Sequence, residues 1–291
     1  MINYAQAVFG PPVCYYNIFY FSLELFAMAS IPSDFSLPFS ANLGFLWTEH
    51  SLPDAIRAAS AAGFGAVECH WPYDVDAAEI KQALAETGLP MLGLNTRRGD
   101  LATGDNGVCA IPGREAEARA VIDEAIGYAG AIGCRNVHVM AGKTAVDSAS
   151  TACFVENLKY AADKADAAGC GLLIEPLNTR DAAGYFLTSL EQAADILDKV
   201  GRPSVKIMFD CYHIQIMQGD LVMRARAFAD MIGHIQFAGV PDRGEPDKSE
   251  IDYSFVLPQL CEDGYDSFLG AEYRPRTTTD AGLGWMERFC H

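Results

Sequence analysis

Positive charge is scarce in this chain and is missing from its start: no lysine or arginine precedes Arg57. That absence excludes the basic leading region of a secretory signal. Over 291 residues there are 21 basic against 38 acidic side chains, a formal net charge of -17. Such a surface repels phosphate backbones and speaks against nucleic acid as a partner. It also repels small anions at long range, so an acidic substrate must be held by local positive charge. Paired cysteines are missing too. The nine Cys are an odd number with no C-x-x-C, which argues against a disulfide framework and fits a reducing cytoplasm. The apolar stretch "YYNIFYFSLELFAMAS" (15–30) is broken by Glu24 and is short for a bilayer, so no membrane is expected as a partner. Residues 1–37 read as an N-terminal extension to a domain at 38–291. Translation starting at Met28 is the simplest account of it; an extra helix or a dimer contact is the rival.

What is present is a repeat of apolar strands and amphipathic helices. Half of the residues are hydrophobic, enough for one large core. "FSANLGFLW" (39–47), "AVECHW" (66–71), "LPMLGLNT" (89–96) and "NVHVMAG" (136–142) read as strands. So do "GLLIEPLN" (171–178), "SVKIMFDCYH" (204–213), "HIQFAGV" (234–240) and "SFLGAEYRP" (267–275). Between them, helical spacing appears at 52–63, 76–88, 114–133, 150–169, 189–201, 220–232 and 252–264. Val-, Ile-, Leu- and Phe-rich strands separated by helices argue for a parallel sheet. Eight such units in about 250 residues match a (β/α)8 TIM barrel. A doubly wound open sheet is the alternative, but the first strand lacks the Gly-rich turn that fold ordinarily carries.

In a barrel, active sites gather where strands end. Glu175 ends the fifth strand, Asp210 the sixth, and Gln236 and Glu272 lie in the seventh and eighth. Four successive strands thus aim an oxygen donor at one mouth. Carboxylates in a dry mouth are costly unless paired or metal-bound. Three of them with one amide suit a hard divalent cation.

The segments "LIEPLNTRDAAGYFL", "FDCYHIQIMQGDL", "HIQFAGVPDRGEPDKSEIDY" and "GAEYRP" closely resemble the hydroxypyruvate isomerase family, one of the xylose-isomerase-like TIM barrels. The resemblance runs over about residues 38–290, with "FSANLGFLW" and "VECHWPYD" in agreement. It implies catalytic glutamates at Glu175 and Glu272, and a metal shell of Glu175, Asp210, Gln236 and Glu272 holding Mg²⁺ or Mn²⁺. The implied reaction interconverts hydroxypyruvate and tartronate semialdehyde through an enediolate. One glutamate removes a proton beside the carbonyl and the other returns it to the neighbouring carbon. The loop "NTRRGDLATGDNG" (95–107) departs from the family pattern at the site mouth, which leaves the substrate open.

His70 and His213 are expected to touch substrate, and Glu68, on the face of the second strand that His70 shares, is expected to orient His70. Trp47 and Trp71 are expected to wall the pocket. A substrate carboxylate wants an arginine fork. Arg98, Arg180, Arg243 and Arg274 are the candidates, and Arg98, Arg180 and Arg274 are assigned to it. The expected partner is therefore a small hydroxy-oxo acid, in a cytoplasmic enzyme whose oligomeric state the sequence leaves open. A 2-oxo-tetronate isomerase needs the same chemistry. A ketose 3-epimerase would usually place a histidine where Gln236 stands. A DNA-repair endonuclease would want more than six histidines and a basic face.

Overall fold

A computed structural model describes residues 37–289; the N-terminal extension, Leu37 apart, lies outside the described residues. Eight strands run in chain order: β1 (Phe39–Asn42), β2 (Ala66–Glu68), β3 (Gly93–Asn95), β4 (Asn136–His138), β5 (Gly171–Ile174), β6 (Val205–Asp210), β7 (Ile232–Phe237) and β8 (Leu269–Ala271). Each pairs in parallel with its neighbours, in the order β2-β1-β8-β7-β6-β5-β4-β3. The ring closes between β2 and the approach to β3. There Val67 N donates to Pro90 O at 3.0 Å, Leu92 N to Val67 O at 2.7 Å and Cys69 N to Gly93 O at 3.0 Å. The fold is a (β/α)8 TIM barrel, as the alternation of elements predicts.

The helices are α1 (Leu52–Ala61), α2 (Ala77–Thr87), α3 (Glu115–Ile132), α4 (Ser148–Ala168), α5 (Leu190–Val200), α6 (Cys211–Met217), α7 (Leu221–Ala227), α8 (Tyr253–Glu262), α9 (Thr279–Gly282) and α10 (Trp285–Phe289). Their starts are written locally. Side chains of Ser51, Asp76, Asp147, Ser189 and Asp252 accept backbone N–H groups of the first turns of α1, α2, α4, α5 and α8, which satisfies donors that have no partner within the helix. Alanine-rich faces, such as Ala161, Ala162 and Ala165 of α4, are buried, and apolar burial of this kind is the main stabilising contribution.

One predicted boundary differs in a way that matters. The sequence reads as strand through His213, but the strand stops at Asp210 and α6 begins at Cys211. Asp210 is the helix N-cap, its Oδ1 accepting the Tyr212 N–H at 2.8 Å. An apolar run cannot by itself distinguish strand from buried helix, and the capping carboxylate decides. All cysteines among the described residues are free, as their spacing predicts. Among the described residues no helix is long and apolar enough to cross a membrane.

Candidate active site

The strand order fixes which side chains meet. Glu175 and Glu272 directly follow β5 and β8, Asp210 closes β6, and Gln236 lies opposite it on β7. All four are buried. Arg243 joins them from the loop after β7. Its φ of 57° is a left-handed conformation, uncommon for a side chain of this size. The turn is held by Gly239 N donating to Gly244 O at 2.8 Å and Gly244 N to Asp242 Oδ1 at 3.0 Å. It sends the arginine back into the barrel mouth, between Phe45 and Tyr212, whose ring centroids lie 5.1 and 5.0 Å from the guanidinium carbon.

Arg243 Nη2 donates to Glu272 Oε2 and, at 3.2 Å, to Asp210 Oδ2. Removing a guanidinium from water is expensive, and two carboxylates offset that cost. Burial would lower the pKa of Arg243, but Glu272, Asp210 and Glu175 outweigh it and keep the group charged. Glu272 is further held by Asn42 Nδ2 at 3.0 Å and His70 Nε2 at 2.9 Å. Burial alone would raise its carboxyl; Arg243 and His70 outweigh it and bring it down to about 2. Asp210 goes the other way: burial, reinforced by Glu272 and only partly countered by Arg243, lifts it to about 7. Glu175 has no such escort. The imidazole nitrogens beside it are His138 Nδ1 at 3.5 Å and His213 Nε2 at 3.8 Å, and its Oε1 has no hydrogen-bond partner. Burial, then the charges of Glu272 and Asp210, raise it well above the usual carboxylate range. His138 is pushed down to about 4 by burial and so is neutral.

Glu175, Asp210 and His213 offer atoms within 4.8 Å of one another, a grouping able to hold a metal ion. The tautomer of His213 argues against its being a ligand. Its Nδ1 faces two donors, the backbone N–H of Asn178 at 3.0 Å and the Asn178 Nδ2 at 2.7 Å, so Nδ1 carries the lone pair. Burial, followed by the Arg243 charge, keeps the ring neutral. The single hydrogen therefore sits on Nε2, 3.5 Å from Asp210 Oδ2, where it can donate but not ligate. The 3.1 Å contact of Nε2 with Arg243 Nη1 brings donor to donor. Gln236 has the opposite character. Its Nε2 donates to Glu68 Oε2 at 2.7 Å, while its buried Oε1 has no partner. Two buried oxygens without partners beside two further carboxylates are hard donors, and they fit a divalent cation of the Mg²⁺ or Mn²⁺ class.

The other expected residues are placed as follows. His70 packs between Phe45 and Trp71, at ring-centroid distances of 5.1 and 5.0 Å. Glu68 does not touch it and points inward to Ser40, His234 and Gln236. Arg98 lies over the Trp71 ring at 4.1 Å. Arg180 is exposed and donates to Pro241 O at 3.2 Å, and Arg274 is exposed 5.6 Å from the Phe45 centroid. Of the four candidate arginines, Arg243 alone enters the buried cluster. Trp47 is 1% exposed against Phe64, its indole N–H on Asp280, and belongs to the core. Asn42 and His138 were legible by the same signal as the glutamates, a polar residue at the end of an apolar strand.

The chain matches the family described as xylose isomerase-like TIM barrel over residues 56–289. It is 45% identical over 254 residues to the 2-oxo-tetronate isomerase of Cupriavidus necator, covering 86% of this chain and 98% of that one. It is 41% identical over 256 residues to the hydroxypyruvate isomerase of Escherichia coli, covering 87% and 99%. A crystal structure from Brucella melitensis, titled an AP endonuclease of family 2, superimposes with a TM-score of 0.83 at 40% identity, over 88% of this chain and 100% of that one.

Proposed function

The chain belongs to the xylose isomerase-like TIM barrel family, and from that premise we propose that it is an aldose-ketose isomerase interconverting hydroxypyruvate and tartronate semialdehyde. Its relatives named as isomerases support the reaction class. The observation that carries the reading is the pair Glu175 and Glu272. They stand on strands three apart in the ring and share one buried cluster, yet their surroundings push them in opposite directions. Two carboxyls so separated are suited to exchange a proton with a substrate held between them.

In hydroxypyruvate the C3 hydrogens are acidified by the adjacent C2 carbonyl. One glutamate takes a C3 proton, leaving an enediolate across C2 and C3. The other glutamate delivers a proton to C2, and the C3 hydroxyl proton passes to the C2 oxygen as the C3 aldehyde forms, so the substrate neither gains nor loses a proton overall. A divalent cation held by Glu175, Asp210, Gln236 and Glu272 would offset the charge gathering on the substrate oxygens, a contribution of several kcal/mol. The Nε2–H of His213 and the fork of Arg243 are the donors available to the substrate's oxygens, and Arg243 supplies the positive charge that the acidic surface withholds. His70 and Asn42 fix the Glu272 carboxylate, and Phe45 and Trp71 help to keep water from the mouth. A 2-oxo-tetronate is the second reading, favoured by the Cupriavidus relative. It needs the same proton transfer beside the same carbonyl.

Proton exchange followed by NMR in D₂O tests this, with Mg²⁺ or Mn²⁺ present and each of the two oxo acids supplied. Loss of the hydroxypyruvate CH₂ signal with growth of tartronate semialdehyde, abolished by EDTA, is the expected result. Glu175→Gln and Glu272→Gln are each expected to slow it by about 10²- to 10⁴-fold with the fold intact by circular dichroism. Full turnover in either variant would overturn the mechanism; exchange of the tetronate alone would move the substrate to the longer acid.

A further inference from the structure

Beneath the cluster just described, the barrel interior holds a second polar layer that the proposed chemistry does not use. Glu68, at the end of β2, is 2% exposed. Three donors converge on its carboxylate: Ser40 Oγ on Oε1 at 3.0 Å, Gln236 Nε2 on Oε2 at 2.7 Å, and His234 Nε2 at 3.2 Å from Oε2 and 3.3 Å from Oε1. Because a carboxylate offers only acceptors, the hydrogen of the last contact sits on His234.

We propose that Glu68 is a positioning residue that sets which end of the Gln236 amide faces the site. This rests on the reading of Gln236 as a cation ligand. The two ends of a side-chain amide are nearly the same size, and their hydrogen-bond partners choose between them. Turned the other way, Gln236 would set its carbonyl oxygen against a carboxylate oxygen at hydrogen-bond distance, acceptor on acceptor, in a buried place. That orientation is excluded, so Oε1 points away from Glu68 and stays without a partner. The room for this arrangement comes from Gly270, which lies opposite Gln236 on β8. A Cβ at that position would stand 2.4 Å from Glu68 Oε1 and 2.9 Å from Gln236 Cγ, closer than non-bonded atoms approach. Glu68, Gly270 and Gln236 thus form one device, on three different strands, whose product is an amide oxygen presented upward.

Outer partners of metal ligands typically contribute 10- to 100-fold in metal affinity. The test is Mn²⁺ binding to the full chain, read from the paramagnetic resonance signal of free Mn²⁺, in a double-mutant cycle of Glu68→Gln and Gln236→Ala. Glu68→Gln is expected to weaken Mn²⁺ binding about 10- to 100-fold in the wild-type background. In the Gln236→Ala background it is expected to change nothing, because its effect passes through that amide. An equal loss in both backgrounds would make Glu68 a structural residue and overturn the inference, as would unchanged affinity in Glu68→Gln itself. Absence of Mn²⁺ binding by the wild-type chain would instead remove the cation reading, and the inference with it. Glu68→Asp, which keeps the carboxylate but retracts it by one methylene, serves the same cycle where Glu68→Gln does not fold.

Discussion

Arg243 shows how a single residue can be visible in a sequence and still not be ranked by it. Four arginines sit on loops behind strands, and nothing in their neighbours separates the one in "PDRGEP" from the rest. What separates it is a left-handed backbone at residue 243 and the turn around it, which a linear reading does not contain. The glutamates were legible because a carboxylate at the end of an apolar strand is conspicuous. Glu68 shares that signature, but its contacts come from strands β1 and β7, far away in the chain. Arg243 also carries a prediction. Removing one partner of a buried ionic group leaves the others uncompensated, at a cost of about 3–5 kcal/mol. Arg243→Ala is expected to lower the stability of the metal-free protein by about that amount in urea unfolding, and Mg²⁺ is expected to restore more stability in the variant than in the wild type. An unchanged unfolding midpoint without metal would show that Asp210 and Glu272 need no counter-charge.

At the scale of elements, the order of the eight strands and of the seven helices expected with them was legible, because helix caps and apolar periodicity are local; the short helices α6, α9 and α10 were not. The ends of strands were not. The segment 204–213 reads as one strand, yet Asp210 turns it into helix α6, so a candidate ligand also holds a secondary-structure junction. The loop 97–107 is another case. It is fastened to the segment that follows β4 by a bridge between Gly107 and Ala141. Both Gly107 and Gly142 there have φ near 100°, at 102° and 99°. A Cβ on Gly142 would meet Gly107 O at 2.3 Å. Gly142→Ala therefore combines an unfavourable backbone conformation with a backbone clash, and non-glycine strain of this kind costs about 1–3 kcal/mol. It is expected to lower the unfolding midpoint and, because Arg98 of this loop lies on Trp71 beside His70, to raise KM more than it lowers kcat. Wild-type KM together with a lowered midpoint would confine the loop to a structural role.

On the scale of the whole molecule, the charge of -17 and the buried Arg243 act on an anionic substrate in opposite senses. The surface repels it from afar, and the guanidinium attracts it only at close range. Salt shortens the reach of exposed charges, from about 30 Å at 0.01 M to about 8 Å at 0.15 M ionic strength, while leaving buried ones nearly untouched. The kcat/KM for hydroxypyruvate is therefore expected to rise over that range, with kcat nearly constant. A fall would mean that positive charge at the mouth, such as Arg98 on Trp71, governs the approach from a distance. The polar layer of Ser40, Glu68 and His234 has a consequence for anyone wishing to make this protein survive heat. Filling a barrel interior with aliphatic side chains is an obvious route to a tougher scaffold. Here it would cut away the seat on which the working surface rests, so ruggedness and competence compete for the same few positions.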